Sequence, residues 1–434
     1  MTLMRKSFFA LLPTLLLVGV FLPACKSRNF GEETSEVDSL LDPHRLPARG
    51  PWFEGWYVRI TPVSGTDRSL GAIVGSYLPP GEDRSLSEKR GLRGYAALLE
   101  SGQVAAPLRA FEAFPEKTNM FLNAADPVKR DPAPSSPASF RWVADNLGEM
   151  NQSGLDLSVG GAQLKVNWSE PVPWNSSGFG PQGLLSLFRA FPLHWFVYSL
   201  ASRVKFEAVL PDASIPEKFE RISGTGYAHI EKNWGVSFPE SYIWMQAHYP
   251  EQKRTIALAG GKPLKIAGVQ PEAWLIGYRS ERFKQDFTPQ NVGTFFESKV
   301  DACAGRFELK ASYLNRRLII TAQAPRKTFA GISIPKESGF ERDGSEQSFQ
   351  TQIAVQLFEV PPLGVGIQGE KLLEQTVLMG GALEFGGTLS VRSRVLSVWF
   401  AAIPSAGPIY KTFIFFCARR SSQARKIDVL RQLR

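Results

Sequence analysis

Residues 226–248 read GYAHIEKNWGVSFPESYIWMQAH, a stretch that places a glutamate, a lysine, an asparagine and two histidines among Tyr, Trp, Ile, Phe and Met. Desolvating an ionisable group among large apolar side chains is costly unless it is paired, and its proton affinity shifts in consequence. The stretch breaks into two runs with strand periodicity, in which alternate residues share a face. In the first run Tyr227, His229, Glu231 and Asn233 lie on one side, and Ala228, Ile230 and Lys232 on the other. In the second, Tyr242, Trp244, Gln246 and His248 oppose Ile243, Met245 and Ala247. NWGVSFPE joins them and holds Gly235 and Pro239, as a connection should. If the two strands pair, Glu231 sits in an aromatic cup with polar neighbours.

The same texture runs through most of the chain. WFEGWYVRI, SLGAIVGSYL, HWFVYSLA, RRLIITAQA and FQTQIAVQLFEV are short, β-branched or aromatic, and separated by Gly, Pro, Ser and Asp clusters. Helical periodicity is scarce: RFKQDFTPQNV is broken by proline and LLSLFRAF is brief. The expected class is all-β. No fixed-period repeat is visible, which disfavours propellers and solenoids.

The first 24 residues have a positive start, an apolar run and the ending LPAC, the order of a secretory signal peptide. LPAC resembles a bacterial lipoprotein box, which makes Cys25 the lipidated N-terminus, residues 25–49 a polar tether, and the expected location the cell envelope, anchored to a membrane on the periplasmic side. Two further stretches look like internal punctuation, DPVKRDPAPSSPAS at 126–139 and EPVPWNSSGFGPQG at 170–183. A boundary near the second gives β domains over 50–180 and 181–418, followed by a basic tail at 419–434.

The formal charge is +9, of which the leader carries two and the tail five. That leaves about +2 on the whole folded body, so a basic nucleic-acid face is not expected. Once Cys25 is spent only Cys303 and Cys417 remain. There is no CxxC, HxH or HExxH, and hence no metal signature. No GxSxG stands before a helix. The runs VLSVWFAAIP and IYKTFIFFCA are too short for a helix to span a bilayer.

Two other runs resemble the opening one. In PWFEGWYVRI, Glu54 lies between Trp52 and Trp56 on one face, with Gly55 leaving space beside it. In FPLHWFVYSL, His194, Phe196 and Tyr198 share a face. A carboxyl walled by indole rings favours its neutral form and remains a proton donor near neutral pH. The ring faces also stabilise a nearby cation by about 0.5–2 kcal/mol each.

FEGWY at 53–57, PLHW at 192–195, GYAHIEKNWGVSFPESYIWMQ from 226 and LMGGALEFGG at 378–387 occur in the order seen in the tocopherol cyclase family, which the chain resembles over residues 50 to about 390. The resemblance implies two calycin, lipocalin-like β domains in tandem. It also implies acid-driven closure of a prenylated hydroquinone to a chromanol, with no metal and no organic cofactor. On that reading Glu231 is the proton donor, with Glu54 second; Asn233, Gln246, His194 and Tyr227 contact the substrate, and Trp56, Trp234 and Trp244 line the cation pocket. Lys232 beside Glu231 has a competing reading, as half of a structural ion pair closing a barrel end. A non-catalytic envelope lipoprotein carrying a quinone, carotenoid or other lipid is the alternative function, and a purely structural scaffold the third.

Overall fold

The computed structural model describes residues 41–44, 46–85, 90–102, 105–122, 140–175, 180–187, 191–215, 217–261, 272–361 and 369–390. The described chain is dominated by antiparallel strands, as its composition requires. The first sheet contains β1 (Trp52–Pro62), β2 (Leu70–Leu78), β3 (Arg93–Glu100), β4 (Arg109–Ala113), β5 (Thr118–Leu122), β6 (Phe140–Ala144), β7 (Gly148–Asn151), β8 (Gly154–Val159), β9 (Ala162–Ser169), β10 (Leu193–Pro211) and β11 (Phe219–Gly235). They are ordered β4-β3-β2-β1-β11-β10-β9-β8-β7-β6-β5. A bridge between Leu92 and Thr118 brings the start of β3 to β5 and curls the sheet almost closed.

The second sheet contains β12 (Ser241–Tyr249), β13 (Arg254–Gly261), β14 (Ala273–Arg279), β15 (Lys284–Phe287), β16 (Phe295–Asp301), β17 (Arg306–Tyr313), β18 (Arg316–Gln323), β19 (Ala330–Lys336), β20 (Gly339–Glu359) and β21 (Lys371–Gly387). Its order is β15-β14-β13-β12-β21-β20-β18-β17-β16, with β19 on β20. The expected all-β class forms, as two antiparallel sheets that follow one another along the chain.

Each curled sheet encloses its own core. Alternation in β9, AQLKVNWS, buries Ala162, Leu164, Val166 and Trp168 and exposes the residues between them, giving one wall of the first core with Trp56, Phe140 and Trp142. Ile243, Met245, Trp274, Phe307 and Phe385 belong to the second. A third core lies between the sheets, where Tyr57, Trp195 and Val197 from the first meet Trp244, Phe349 and Ala382 from the second. Backbone bonds fix this junction, from Leu108 N to Thr328 O at 2.9 Å and from Phe238 N to Pro335 O at 3.0 Å.

Two boundaries differ from the sequence expectation. The sheets divide between Gly235 and Ser241, because β10 and β11 complete the first sheet. The Pro- and Gly-rich 170–183 stretch is instead the β9–β10 connection, which leans on the second sheet: Arg279 donates to the Trp174 carbonyl at 2.7 Å. The tether ends by residue 41, where Leu41 and Asp42 are already buried and the Trp56 indole donates to the Leu41 carbonyl at 3.0 Å. Cys303 is disulfide-bonded. Cys25, Cys417, the leader, the tail and both late apolar runs lie outside the described residues.

Candidate functional site

β11 and β12 do not pair. β11 pairs with β1 and β10, while β12 pairs with β13 and β21. Their polar rows nevertheless meet, because the two sheets pack face to face. Across the first sheet one row runs Ile73, Tyr57, Glu231, Val197. Across the second the corresponding row runs Gln347, Glu384, Trp244, Ala259. The two rows enclose an acidic and aromatic cluster.

Glu231 is its centre and is 4% exposed. Its Oε2 accepts from the indoles of Trp195 at 2.8 Å and Trp244 at 2.9 Å, and contacts His229 Nε2 at 2.9 Å. Oε1 has a weaker partner, Asn233 Nδ2 at 3.2 Å. Three neighbours saturate Oε2 as an acceptor, so Oε1 is the oxygen with capacity left for another partner.

Glu384 is the second carboxyl. The Tyr242 hydroxyl donates to its Oε1 at 2.5 Å and the Gln347 amide to its Oε2 at 3.1 Å. Tyr57 donates in turn to Gln347 Oε1 at 3.4 Å, and its ring meets Trp244 edge-on with centroids 5.0 Å apart. Burial pushes the Glu384 carboxyl up to about 7, the charge of Glu231 adding to the rise while bonding to Tyr242 opposes it. Burial also holds the hydroxyls of Tyr57 and Tyr242 well above their ordinary range, with nearby glutamates contributing, so both keep their protons. Gly386 makes this geometry possible: a Cβ there would lie 1.9 Å from the Tyr242 ring.

Glu54 is elsewhere. In the β1–β11 register Glu54 faces Trp234 and Trp56 faces Lys232, one residue out of phase with Tyr57 and Glu231. Those side chains project into the first curled sheet, on the opposite face from the cluster. There Glu54 accepts from the His44 backbone N–H at 2.8 Å, contacts His44 Nδ1 at 2.7 Å and pairs with Lys232 Nζ at 3.4 Å. Lys232 also donates to the Asp42 carbonyl at 2.6 Å. Burial alone would raise the Glu54 carboxyl, but His44 and Lys232 outweigh it and hold it below its ordinary value. The expectation of a neutral donor walled by indoles is therefore corrected: Glu54 is a paired carboxylate. Lys232 has Glu54, not Glu231, as its carboxylate partner.

The other expected contacts divide between these faces. Trp234 is sandwiched by the rings of His44 and His194, with centroids 4.3 Å and 4.9 Å away, so Trp234 and His194 belong with Glu54. Trp56 stacks on Phe140 at 4.5 Å inside the first core and lines no cation pocket with Glu231. Asn233, Trp244 and Gln246 share the face of Glu231, Gln246 accepting from Arg59 at 2.7 Å. Tyr227 lies further along that face, 4.7 Å from the His248 ring. Glu384, Tyr57, Trp195, Gln347 and His44 were missed as site residues. Tyr57, Trp195 and Glu384 stood inside FEGWY, PLHW and LMGGALEFGG, whereas nothing local marked Gln347 or His44. Among the described residues no group of three His, Cys, Asp or Glu side chains is arranged to hold a metal ion.

Residues 182–387 match the family model described as tocopherol cyclase-like. No curated protein matches the sequence. Solved structures with a similar chain course include CghA with Sch210972, at TM-score 0.49 and 9% identity over 78% of this chain and 89% of that one. A putative AttH from Nitrosomonas europaea gives 0.41 and 12% over 78% and 93%. Kievitone hydratase from Nectria haematococca gives 0.37 and 9% over 78% and 89%.

Proposed function

From the premise that residues 182–387 belong to the tocopherol cyclase-like family, we propose that this protein is an acid catalyst acting on a prenylated aromatic, closing it to a chromanol-type ring at the junction between its two sheets. One observation carries the reading: a half-buried carboxyl at about 7, Glu384, stands beside the buried carboxyl of Glu231, within aromatic walls. A donor with a pKa near the working pH is both protonated enough and acidic enough to act.

In the proposed step Glu384 gives its proton to one alkene carbon and the tertiary cation forms at the other. Tyr57, Trp195 and Trp244 offer ring faces to that cation, and the carboxylate pair offsets its charge. The phenol oxygen bonds to the cation and releases its proton to the carboxylate, so the product is an isomer of the substrate. Glu231, held by two indoles, an imidazole and an amide, orients the hydroxyl through Oε1. Gly55 and Gly75 face each other on β1 and β2 and leave that part of the face without side chains, next to an aromatic band of Phe53, Phe238 and Tyr242. An isoprenoid tail fits such a surface. Lipid anchoring at Cys25 on the bacterial envelope is part of the proposal, and Cys25→Ala should abolish fatty-acid labelling.

Incubation in D2O with anaerobic prenyl hydroquinones tests the reaction. Ring closure leaves an isomer with one new carbon-bound deuterium, absent with Glu384→Gln. Lipids retained unaltered by both proteins would favour the carrier reading instead.

A further inference from the structure

Arg59 lies two residues along β1 from Tyr57, on the same face, and is 1% exposed. It has no carboxylate partner among the described residues. Nη1 donates to Gln246 at 2.7 Å and approaches Thr61 at 3.5 Å, Nη2 donates to Ser69 at 3.2 Å and to the Gly380 carbonyl, and the guanidinium lies 4.8 Å over the Phe349 ring. All of these partners are neutral. Burial pulls this guanidinium down to about 10, which still leaves it charged at neutral pH. A buried cation met only by neutral groups is an expensive arrangement.

Its surroundings hold further unmet polar atoms. Nε of Arg59, Nδ1 of His229 and Nε2 of His248 are each buried without a hydrogen-bond partner. His229 faces Arg59 across the β1–β11 register, and His248 follows Gln246, the Arg59 acceptor, on the same face of β12. His248 is held at about 4 by burial, with repulsion from His229 and Arg59 adding, and is neutral. Its Nδ1 contacts the Thr255 hydroxyl at 2.6 Å; in the tautomer in which that hydroxyl donates, Nε2 carries a proton to donate. An unmet donor on the uncompensated cation itself, with a second on His248 nearby, describes a place for an anionic oxygen.

We propose that Arg59, His229 and His248 form a subsite for an anionic head group, so that the preferred ligand is a prenylated aromatic acid rather than a neutral quinol. The proposal rests on the acid-catalyst reading and specifies its substrate class. The anion accepts from Arg59 Nε and His248 Nε2, with His229 Nδ1 as the third unmet polar atom beside them, its other ring nitrogen in contact with Glu231. Two strand residues span about 7 Å, which sets the head group that far along the face from the carboxyl pair.

The test compares 3-geranyl-4-hydroxybenzoate with its decarboxylated counterpart, 2-geranylphenol, by quenching of tryptophan fluorescence, a readout that needs no turnover. The acid should bind about tenfold or more tightly. Arg59→Gln should bring the two toward parity, and His248→Phe, which keeps the buried arginine, should narrow the gap severalfold. Glu384→Gln should leave the preference intact, which separates a failed subsite from a failed proton donor. Equal affinity in the unaltered protein, binding of neither compound, or a preference that survives both the Arg59 and His248 substitutions would overturn the proposal.

Discussion

Glu54→Gln separates a structural carboxylate from a catalytic one. Glu54 is fully buried, and Lys232, 3% exposed, stands 3.4 Å from it. The substitution keeps the shape but removes the carboxylate charge that pairs with the ammonium. Removing one member of a buried pair costs about 3–5 kcal/mol, since the other is left uncompensated. Of a total stability of about 5–15 kcal/mol, that is a large share. Urea unfolding should therefore show a midpoint far below that of the unaltered protein with the slope unchanged. The double variant Glu54→Leu, Lys232→Met, which removes both members of that ion pair, should recover part of the loss. Cyclisation by the surviving folded fraction should be close to normal. Unchanged stability together with lost turnover would refute the assignment and return Glu54 to the chemistry.

Burial holds His194 at about 4 with the charge of His44 adding, and His248 at about 4 as well. Both are depressed from 6.5, so the unfolded chain binds more protons between those values, and the stability they contribute is complete above pH 6.5 and is lost as pH falls toward 4. Chemical unfolding at a series of pH values reads this directly. Glu384 has the opposite sign: raised from 4.5 to about 7, it lowers stability as pH rises through that window. Relative to the unaltered protein, Glu384→Gln should accordingly gain about 1–3 kcal/mol at pH 8 over pH 5, discounted for partial exposure. Gly386→Ala puts a methyl group into the Tyr242 ring and should displace Tyr242 from Glu384, seen as a higher Glu384 midpoint, since the lost hydrogen bond had held it down, and impaired turnover. Trp244→Phe removes one of two indole donors to Glu231 and should slow turnover by about 10- to 100-fold with little change in KM, as expected for a group that orients a reacting carboxylate. An effect confined to KM would instead make Trp244 a wall of the pocket only.

How much of this was legible in the sequence depends on the distance over which each feature is determined. Strand alternation is local, so the shared face of His229, Glu231 and Asn233 and that of Trp244 and Gln246 could be read directly. Which sheet a strand joins is not local. The same alternation fits β11 and β12 as edge-to-edge neighbours or as opposed faces of different sheets, and the structure forms the second. Phase across strands was equally hidden. Glu54 and Glu231 have similar aromatic surroundings in sequence, yet the β1–β11 register puts them on opposite faces. The counter-charge of Glu54 comes partly from His44, ten residues before it in a stretch without strand patterning. Glu384 lay in a quoted motif, but its raised proton affinity comes from burial between the two sheets, with Glu231, more than 150 residues earlier in the chain, adding to it, so no local window reveals it.

The proposed step requires that Glu384 hold its proton near neutral pH. Infrared difference spectra between the unaltered protein and Glu384→Gln across a pH series isolate the carbonyl band of that one protonated carboxyl. The account predicts a band that disappears with a midpoint near 7, matched by the fall in cyclisation rate. A band already gone by pH 5, with activity persisting above it, would contradict the assignment of Glu384 as the proton donor.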